Sequence, residues 1–541
     1  MAILDGSIVN VAVPRLMAIF GVDTDKIQWV LTAYLLTSGV VIPVSGYLGD
    51  VFGYRRMYVL SLGSFTLGSL LCALAWSNSS LIAARVIQAI GSGMLIPVSM
   101  GMLFRIVPRN KTGLAMGVWG ISAMMAPTIG PTLGGYLVDY LSWHMIFLIN
   151  IPIGLLGMFL AATFLRETQL TKARFDLVGC FLAGAGCFAL LLALSEGQDK
   201  GWTSQYIVTL FVLSFFFLLM FGLWELGEEQ PMLDVRLLAN PVFAVSLFIT
   251  AIVNIGLFGG LFLVPVFLQN LLGYTALQTG LLMMPAALTS GLLMPVSGRL
   301  YDRMGARPPA LVGLFIVACT TWELRRLNLD ISYHWLQMML VLRSAGMGLA
   351  MMPIGTAGMD ALPPHLSGRG SSYNNLVRQV SASLGIAFLT YVMNNSQIFH
   401  FERLRETFSL TSPVASPALA LLEKTLGLSG DTAVALVSVV AQRQAMASAI
   451  GDTFVVSTVM VVLALPLVFF LGGRKNIPSP AGGGSAGRGL NTGGPERMKG
   501  GRGAGASQSG KRKAGTFNSF KDQAQPRFFR KTGQGFQQVA G

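Results

Sequence analysis

The chain has 541 residues, of which 53% are hydrophobic and only 11% are charged, and its formal net charge is +14. Soluble domains carry roughly 25% charged residues, so this composition excludes a soluble protein and indicates a polytopic membrane protein. The apolar runs are near the ~20 residues that a spanning helix needs, and they lack the strict alternation of barrel strands. We therefore expect an all-α polytopic membrane protein.

Fourteen apolar segments follow one another along the chain, and each predicts a membrane-spanning helix. Their approximate bounds are 2–20, 30–48, 57–76, 81–103, 115–138, 145–165, 176–194, 207–225, 242–268, 278–297, 309–323, 335–357, 376–394 and 454–472. Lys and Arg concentrate in alternate loops, and such loops lie in the cytoplasm. We therefore expect a multi-pass protein of the cell inner membrane with both termini in the cytoplasm.

The first segment carries an acid, Asp5, among apolar residues. An ionised carboxylate is costly at lipid depth, so an acid buried there can take up and release protons near neutral pH. We interpret Asp5 as a proton-coupling residue; the alternative is an Asp in water at a helix end. A helix from Met1 to Pro14 rises only about 20 Å, short of a ~30 Å hydrocarbon core, so we expect the natural reading frame to start upstream.

A short charged turn follows the second segment and recurs after the tenth, displaced by 252 positions. A glycine-punctuated turn repeated between spans indicates two related halves, as in many secondary transporters. Its Asp can hydrogen-bond a helix N-terminus or pair with the nearby Arg, so we expect a cytoplasmic gating latch. The residues of the two copies are Gly46, Leu48, Asp50, Gly53, Arg55 and Arg56, and Gly298, Leu300, Asp302, Gly305 and Arg307.

The fourth segment carries Arg85, with Gln88 and Ser92 on the same helix face. An Arg within a span normally faces the bundle interior and seeks an acidic partner, for which Asp5 is the natural candidate. The alternative is that Arg85 extends to the inner interface. In the second half, the stretch that begins at Arg343 has a similar character. Candidate cavity-lining residues are Asn10, Gln88, Ser92 and Asn254; the alternative for Asn10, Gln88 and Asn254 is a hydrogen bond between helices.

The fifth segment is dense in Gly and Pro. Ala126, Gly130 and Gly134 recur every four residues, so they form a small-residue face that a neighbouring backbone can approach. Pro127 and Pro131 remove helix hydrogen bonds and bend the span. A bent helix with a small face suits a seal between two moving halves; the alternative is the ordinary enrichment of Gly and Pro in membrane helices. The candidate residues here are Pro127, Gly130, Pro131, Gly134 and Gly135.

The sequence predicts neither a cofactor nor a metal site, and it predicts no enzyme. The cysteines lie in apolar runs without a CxxC pair, so we interpret them as reduced, buried packing residues. They are Cys72, Cys180, Cys187 and Cys319. The sequence contains no GxxxxGK[ST] loop, so coupling to ATP is unsupported. It also offers no His pair, paired carboxylates or nucleophile elbow.

The two copies of the repeated turn are eight spans apart. Eight spans equal one six-helix half plus two inserted helices. We therefore expect a six-helix half (1–165), an inserted pair (166–238), a second six-helix half (239–475) and a tail (476–541). Residues 395–453 are predicted to lie on the outer face, with helices at 419–426 and 432–450. The Gly/Ser-rich tail holds eleven Lys and Arg against Glu496 and Asp522. We expect it to be disordered and solvated, with no specific partner. Contact of its basic charge with anionic lipid is the alternative, and RNA is favoured less than lipid.

These motifs together resemble the major facilitator superfamily and, within it, the fourteen-span drug:proton antiporters of the EmrB/QacA type. The repeated turn is similar to the superfamily's motif A, Arg85–Gly93 to its motif B and Gly130–Gly135 to its antiporter motif C. The stretch 4–14 resembles the first-span motif of fourteen-span members, and Trp143–Gly154 resembles a pattern at their sixth span. Gly6 and Val51 depart from the family, which has a hydroxyl residue and a basic residue there.

The resemblance implies a major facilitator fold in which inward proton flow drives export of amphipathic or cationic compounds by alternating access. Members with a similar outer segment work with a periplasmic adaptor and an outer-membrane duct, which are candidate partners here. Two alternatives stay open. One is a proton-coupled nutrient or metabolite symporter, which the Gly- and Pro-rich fifth span disfavours. The other is a non-transporting membrane scaffold or sensor whose basic tail recruits a partner.

Overall fold

The computed structural model describes residues 1–167, 176–407 and 430–471. Every regular element among them is helical, and they belong to one compact unit, Met1–Ile477. The basic tail predicted for residues 476–541 lies outside the described residues. The expected all-α class is therefore confirmed for the part of the chain that the structure describes.

Fifteen α-helices make up the described residues. They are α1 (Ala2–Phe20), α2 (Thr24–Phe52), α3 (Tyr54–Ala73), α4 (Asn78–Ile106), α5 (Thr112–Tyr140), α6 (Met145–Leu148), α7 (Asn150–Phe164), α8 (Leu177–Lys200), α9 (Gln205–Gly227), α10 (Pro241–Val266), α11 (Ala276–Met304), α12 (Arg307–Glu323), α13 (Tyr333–Asp360), α14 (Ser367–Thr407) and α15 (Gly430–Leu467). A π-helical turn, Phe267–Leu271, continues α10. Together α6 and α7 form one apolar stretch, Met145–Phe164.

The helices follow the predicted segments, but the predicted count of fourteen spans is not fully confirmed. Among the described residues, twelve helical stretches are long and apolar enough to cross a membrane. A thirteenth is α5, whose parts Thr112–Pro127 and Thr132–Val138 bend by 46°. The predicted span 309–323 is α12, which has only 17 residues and carries a charge at each end, Arg307 and Glu323. Such a helix rises about 26 Å, at the lower limit for a span.

The last two helices are much longer than predicted. α14 has 41 residues and α15 has 38, whereas the predicted spans were 376–394 and 454–472. Residues 395–407 contain neither Gly nor Pro, so nothing ends α14 at its apolar boundary. The predicted helix 432–450 forms part of α15, and the predicted helix 419–426 lies outside the described residues.

The inserted pair consists of α8 and α9. α8 packs against α2, where Gly39 lies against the side chain of Leu191, and it contacts α9 where Gly186 lies against Leu218. Most of α9 is left uncovered, including large apolar side chains such as Phe215. Exposed apolar surface carries no penalty in hydrocarbon, so this pattern is consistent with a helix that faces lipid.

The small-residue face of α5 packs against α1. A Cβ atom on Gly130 would collide with the Ser7 side chain, and one on Gly134 would lie only 3.2 Å from atoms of Ile8. A Cβ atom on Gly135 would meet nothing within 4 Å. The bend in α5 lies between Pro127 and Thr132, where proline removes backbone hydrogen bonds. The small residues of the bent α5 therefore allow α1 to pack close to the α5 axis.

All four cysteines are free. Cys72 and Cys187 are buried and Cys180 is partly buried, which suits packing residues. Cys319 is exposed on α12, so the prediction of a buried role is wrong at that position. An apolar run alone does not reveal which side of a helix faces the core and which faces lipid.

Candidate functional site

Asp5 lies in the interior of the bundle, with only 1% of its surface exposed. Arg85 Nη1 donates to Asp5 Oδ2 at 2.5 Å. Gln88 Nε2 and Asn150 Nδ2 both donate to Asp5 Oδ1 at 2.9 Å. Helices α1, α4 and α7 thus converge on one carboxylate. The structure pairs Asp5 with Arg85 and buries both side chains in the bundle.

Arg85 is fully buried and has partners on several helices. Its Nε donates to the carbonyl oxygen of Val30 at 3.3 Å, and its Nη1 also donates to Gln88 Oε1 at 2.6 Å. The guanidinium lies 4.0 Å from the ring centroid of Tyr34, a distance typical of a cation–π contact. Its Nη2 is buried and has no hydrogen-bond partner. Buried opposite charges are tolerated when they are paired and further hydrogen-bonded, as Asp5 and Arg85 are through their other atoms.

Three partners of this pair were not singled out in the sequence. Asn150 binds the acid, Tyr34 lies under the guanidinium, and Ser69 Oγ accepts a hydrogen bond from Gln88 Nε2 at 2.7 Å. Ser92 accepts a hydrogen bond from the Tyr34 hydroxyl at 2.6 Å, which extends the network towards the cavity. In the sequence, the helical spacing of Arg85, Gln88 and Ser92 on α4 was the only indication of this network. The residues on other helices have no spacing that relates them to α4.

The two copies of the repeated turn lie at the same end of the bundle, here called the turn end. At this end Asp50 Oδ1 accepts hydrogen bonds from Arg105 Nη2 at 2.5 Å and from the Tyr54 hydroxyl at 2.8 Å. Arg369 Nε on α14 lies 3.9 Å from Asp50 Oδ2. Arg105 Nη2 also donates to the carbonyl of His365 at 2.7 Å. The first copy therefore ties α2 and α4 to the second half.

Asp50 does not pair with Arg55, which had been one expectation. Arg55 follows the break at Gly53, where φ is 95°, and its guanidinium donates to the carbonyl of Ala162 instead. Arg56 Nε lies 3.8 Å from the Glu167 carboxylate, which also accepts from the backbone amides of Arg55 and Arg56 at 3.2 and 3.3 Å. The carboxylate that binds the N-terminus of α3 is therefore that of Glu167 and not that of Asp50.

The second copy behaves differently. Asp302 accepts hydrogen bonds from the backbone amides of Gly113 and Leu114, both at 3.0 Å, at the N-terminus of α5. A carboxylate is favourable there because the first amides of a helix lack partners and carry partial positive charge. Gly305 has φ 82°, and beyond it Arg307 Nε donates to the Leu471 carbonyl at 2.6 Å. Asp302 is thus a helix-terminus ligand, which was the other expectation.

The first glycine of each copy lies where helices of the two halves touch. A Cβ atom on Gly46 would collide with the Gly368 carbonyl, and one on Gly298 would collide with the Gly113 carbonyl. A further contact across the turn end comes from Asp360, which accepts hydrogen bonds from Thr112 at 3.1 Å and from Tyr301 at 2.7 Å. The turn end is closed in this conformation.

A cavity of about 530 Å³ lies between the two halves. It is lined by α1, α2, α4 and α5 on one side and by α10, α11, α13 and α14 on the other. Of the predicted lining residues, Asn10, Ser92 and Asn254 face it. Gln88 does not, because its amide is held by Asp5 and Ser69. The volume is in the range of small-molecule sites.

A two-half helical bundle with a central cavity and a buried acid is the architecture of a secondary transporter. The family model of the Major Facilitator Superfamily matches residues 1–386, and the chain belongs to this superfamily. The relatives described next place it in the EmrB/QacA-like branch that its motifs resemble. These relationships make it a transporter rather than an enzyme.

Two relatives and one solved structure show the extent of the similarity. The uncharacterized MFS-type transporter YhcA of Bacillus subtilis is 35% identical, over 87% of this chain and 90% of the relative. The multidrug export protein EmrB of Haemophilus influenzae is 31% identical, over 77% and 82%. The human organic anion transporter MFSD10 superposes with a TM-score of 0.54 over 86% of this chain and 96% of that one. Its 14% identity shows a shared fold alone.

We predict that Arg85→Ala destabilises the protein more than Arg85→Lys. Removing the whole guanidinium leaves a buried carboxylate without its counter-charge, a loss of about 3–5 kcal/mol in comparable cases. Lys keeps the charge but cannot bind Asp5 and Val30 together. Thermal unfolding of the purified protein in detergent is the measurement. Arg405→Ala, at an exposed ion pair on α14, is the control and should change little. Equal unfolding temperatures for both Arg85 variants would contradict this view.

We also predict that Gly46→Ala and Gly298→Ala each shift the protein away from the closed turn end. A methyl group at either position must displace a backbone carbonyl of the other half, at a cost of about 1–3 kcal/mol. Spin labels at Arg56→Cys and Arg303→Cys, in a Cys319→Ser background, report the distance across the turn end. Gly135→Ala is the matched control, because its Cβ meets open space. Unchanged distance distributions in folded variants would exclude a latch at these glycines.

Proposed function

We propose that this chain is a proton-driven multidrug exporter that works by alternating access. One relative that covers most of its length bears the name multidrug export protein. The observation that carries the proposal is the position of Arg85, which binds the buried acid Asp5 and also lines the central cavity. The proton site and the ligand site therefore share a residue.

The shared residue gives a physical route for coupling. Protonation of Asp5 removes the negative charge that holds Arg85, Gln88 and Asn150 together, and so it loosens the attachment of α1 to α4 and α7. The cavity wall at Arg85 changes with it. A ligand that fits one protonation state better than the other is then coupled to the proton, and this coupling is reciprocal.

The contacts at the turn end supply the second part of alternating access. Asp50, Asp302 and Asp360 each bind a group of the opposite half when this end is closed. These contacts are polar and lie near the end of the bundle, so water can replace them when the halves rock apart. Such exchangeable contacts allow two states of similar free energy, which a transport cycle requires.

The placement in the membrane is part of the proposal. Alternate loops rich in Lys and Arg support a cytoplasmic turn end and two cytoplasmic termini in the cell inner membrane. Small amphipathic molecules and protons are the proposed partners, together with membrane lipid. A periplasmic adaptor and an outer-membrane duct stay predictions from the family resemblance.

We predict that Asp5→Asn abolishes proton-coupled export while the protein still folds. Asn can preserve hydrogen bonds to neighbouring donors but cannot bind and release a proton near neutral pH. The measurement is substrate-induced proton release from inverted vesicles, with a pH-sensitive dye and whichever amphipathic dyes of a panel the unmodified protein exports.

Asp25→Asn, at an exposed position near the start of α2, is the control and should keep full coupling. If Asp5→Asn released protons as the unmodified protein does, Asp5 would not be the coupling site.

A further inference from the structure

The charges around the cavity are unbalanced. Three arginines line it, Arg85, Arg343 and Arg378, and the described lining residues include neither Asp nor Glu. Arg85 is neutralised by Asp5, which lies behind it. Among the described residues, Arg343 and Arg378 form no ion pair with any carboxylate. A guanidinium keeps its proton in a protein, so the cavity wall carries two uncompensated positive charges.

The second half has no acid at the position that corresponds to Asp5, although Arg343 itself lies 258 and not 252 positions after Arg85. A displacement of 252 positions, which relates the two copies of the turn, relates Asp5 to Leu257. Arg343 Nη2 donates to the carbonyl oxygen of Leu257 at 3.2 Å, and its Nε donates to Thr321 Oγ1 at 3.2 Å. The second half therefore has an arginine facing the corresponding turn of helix but no acid there. Arg343 is nevertheless 95% buried, since only 5% of its surface is exposed.

Two more residues that line the cavity carry a donor without an acceptor. The side chain of Arg378 on α14 makes neither a hydrogen bond nor an ion pair with the rest of the described residues. Asn254 on α10 is 97% buried, since 3% is exposed, and its Nδ2 has no hydrogen-bond partner. Buried donors without acceptors are unfavourable, and an intramembrane cation without a counter-charge is more so. The negatively charged oxygens of a ligand would supply a counter-charge for Arg378 and an acceptor for Asn254.

The remaining wall is apolar. Trp119, Met124, Met347 and Met351 line the same cavity and offer a polarizable surface that adapts to rings of different shape. We infer that the cavity binds amphipathic organic anions, with a carboxylate or sulfonate group bound by Arg378 and Arg343 and a ring against the methionines. This inference rests on the proposed transport function and narrows its substrate class, since a cation would meet two positive charges and no acid.

The test compares three probes that share one ring and differ in charge. They are 2-naphthoate, 2-naphthamide and 2-naphthamidine, which are anionic, neutral and cationic at neutral pH. Binding to the purified full chain in detergent is measured by titration calorimetry. We expect the naphthoate to bind about tenfold or more tightly than the amide, as a charge-assisted pair allows, and the amidine to bind most weakly. Equal or tighter binding of the amide or the amidine would overturn the inference, as would equal binding of acetate and naphthoate.

Variants connect the preference to the residues. Arg378→Gln should weaken naphthoate binding about tenfold and leave amide binding unchanged, whereas Arg378→Lys should keep part of the preference. Arg405→Gln removes an exposed charge from the same helix and should have no effect. Loss of amide binding would reveal a misfolded variant, and Asn254→Ala then serves in its place, with a smaller loss of naphthoate binding. A naphthoate preference that survives in folded Arg378→Gln and Asn254→Ala would contradict the assignment.

The calorimetric test needs no proton gradient, so it separates this inference from the proposed function. If proteoliposomes show proton-driven transport but naphthoate does not bind preferentially, the anion inference fails and the exporter stands. If naphthoate binds as expected and none of a panel of anions moves with a proton gradient, the proposed function fails and the binding site stands.

Discussion

The ion pair of Asp5 and Arg85 is the constraint on which the arrangement of the first half depends. Both side chains are fully removed from solvent, and each would be strongly unfavourable in the bundle without the other. Their remaining hydrogen-bonding groups draw in Gln88 from α4 and Asn150 from α7. A network of this kind fixes the rotation of three helices at once, because a rotated helix would leave a buried polar group unpaired.

The second half repeats the helices and the charged turn of the first half, but the Asp of its turn has different partners. Asp50 is neutralised by arginine side chains, whereas Asp302 is neutralised by the amides at the start of α5. The same residue at the same repeat position thus reaches the same result with different partners. The glycines differ less, because Gly46 and Gly298 each leave room for a backbone of the opposite half. The interface geometry therefore repeats more closely than the charges do.

The sequence predicted those parts of the site that follow from scarcity and spacing. Few charges occur inside spans, so Asp5 and Arg85 could be paired by elimination, and Gly130 and Gly134 could be placed on one face by helical period. Gln88 was a candidate for the cavity wall or for a hydrogen bond between helices, and it binds Asp5. Helical periodicity shows which residues share a face but not which helix that face contacts. Asn150 is 145 positions from Asp5, and nothing local indicates that contact.

The residues that bind Asp50 and Asp302 at the turn end could not be predicted either, because local sequence does not show contacts between distant helices. Arg105 was visible only as one of several basic loop residues, and its carboxylate partner lies on another helix. Arg378 lies near the start of a predicted span, where a basic residue reads as interfacial; only the packing of α14 turns it into the cavity. Similarly, the length of α14 and α15 could not be read from hydropathy, which detects where lipid ends and not where a helix ends.

The separation of the charges between the halves bears on the direction of coupling. An anion bound directly beside Asp5 would favour protonation of that acid, and this would couple ligand and proton towards cotransport. Arg343 and Arg378 lie on α13 and α14, so they hold an anion on the half that lacks the acid. Exchange then rests on the conformational change rather than on direct attraction. An anion that leaves while one proton enters moves two charges in the same electrical sense, and each gains about 2.3 kcal/mol per 100 mV of inside-negative potential. The membrane potential would therefore drive export of an anion, whereas one-for-one exchange of a proton for a monovalent cation would gain nothing from it.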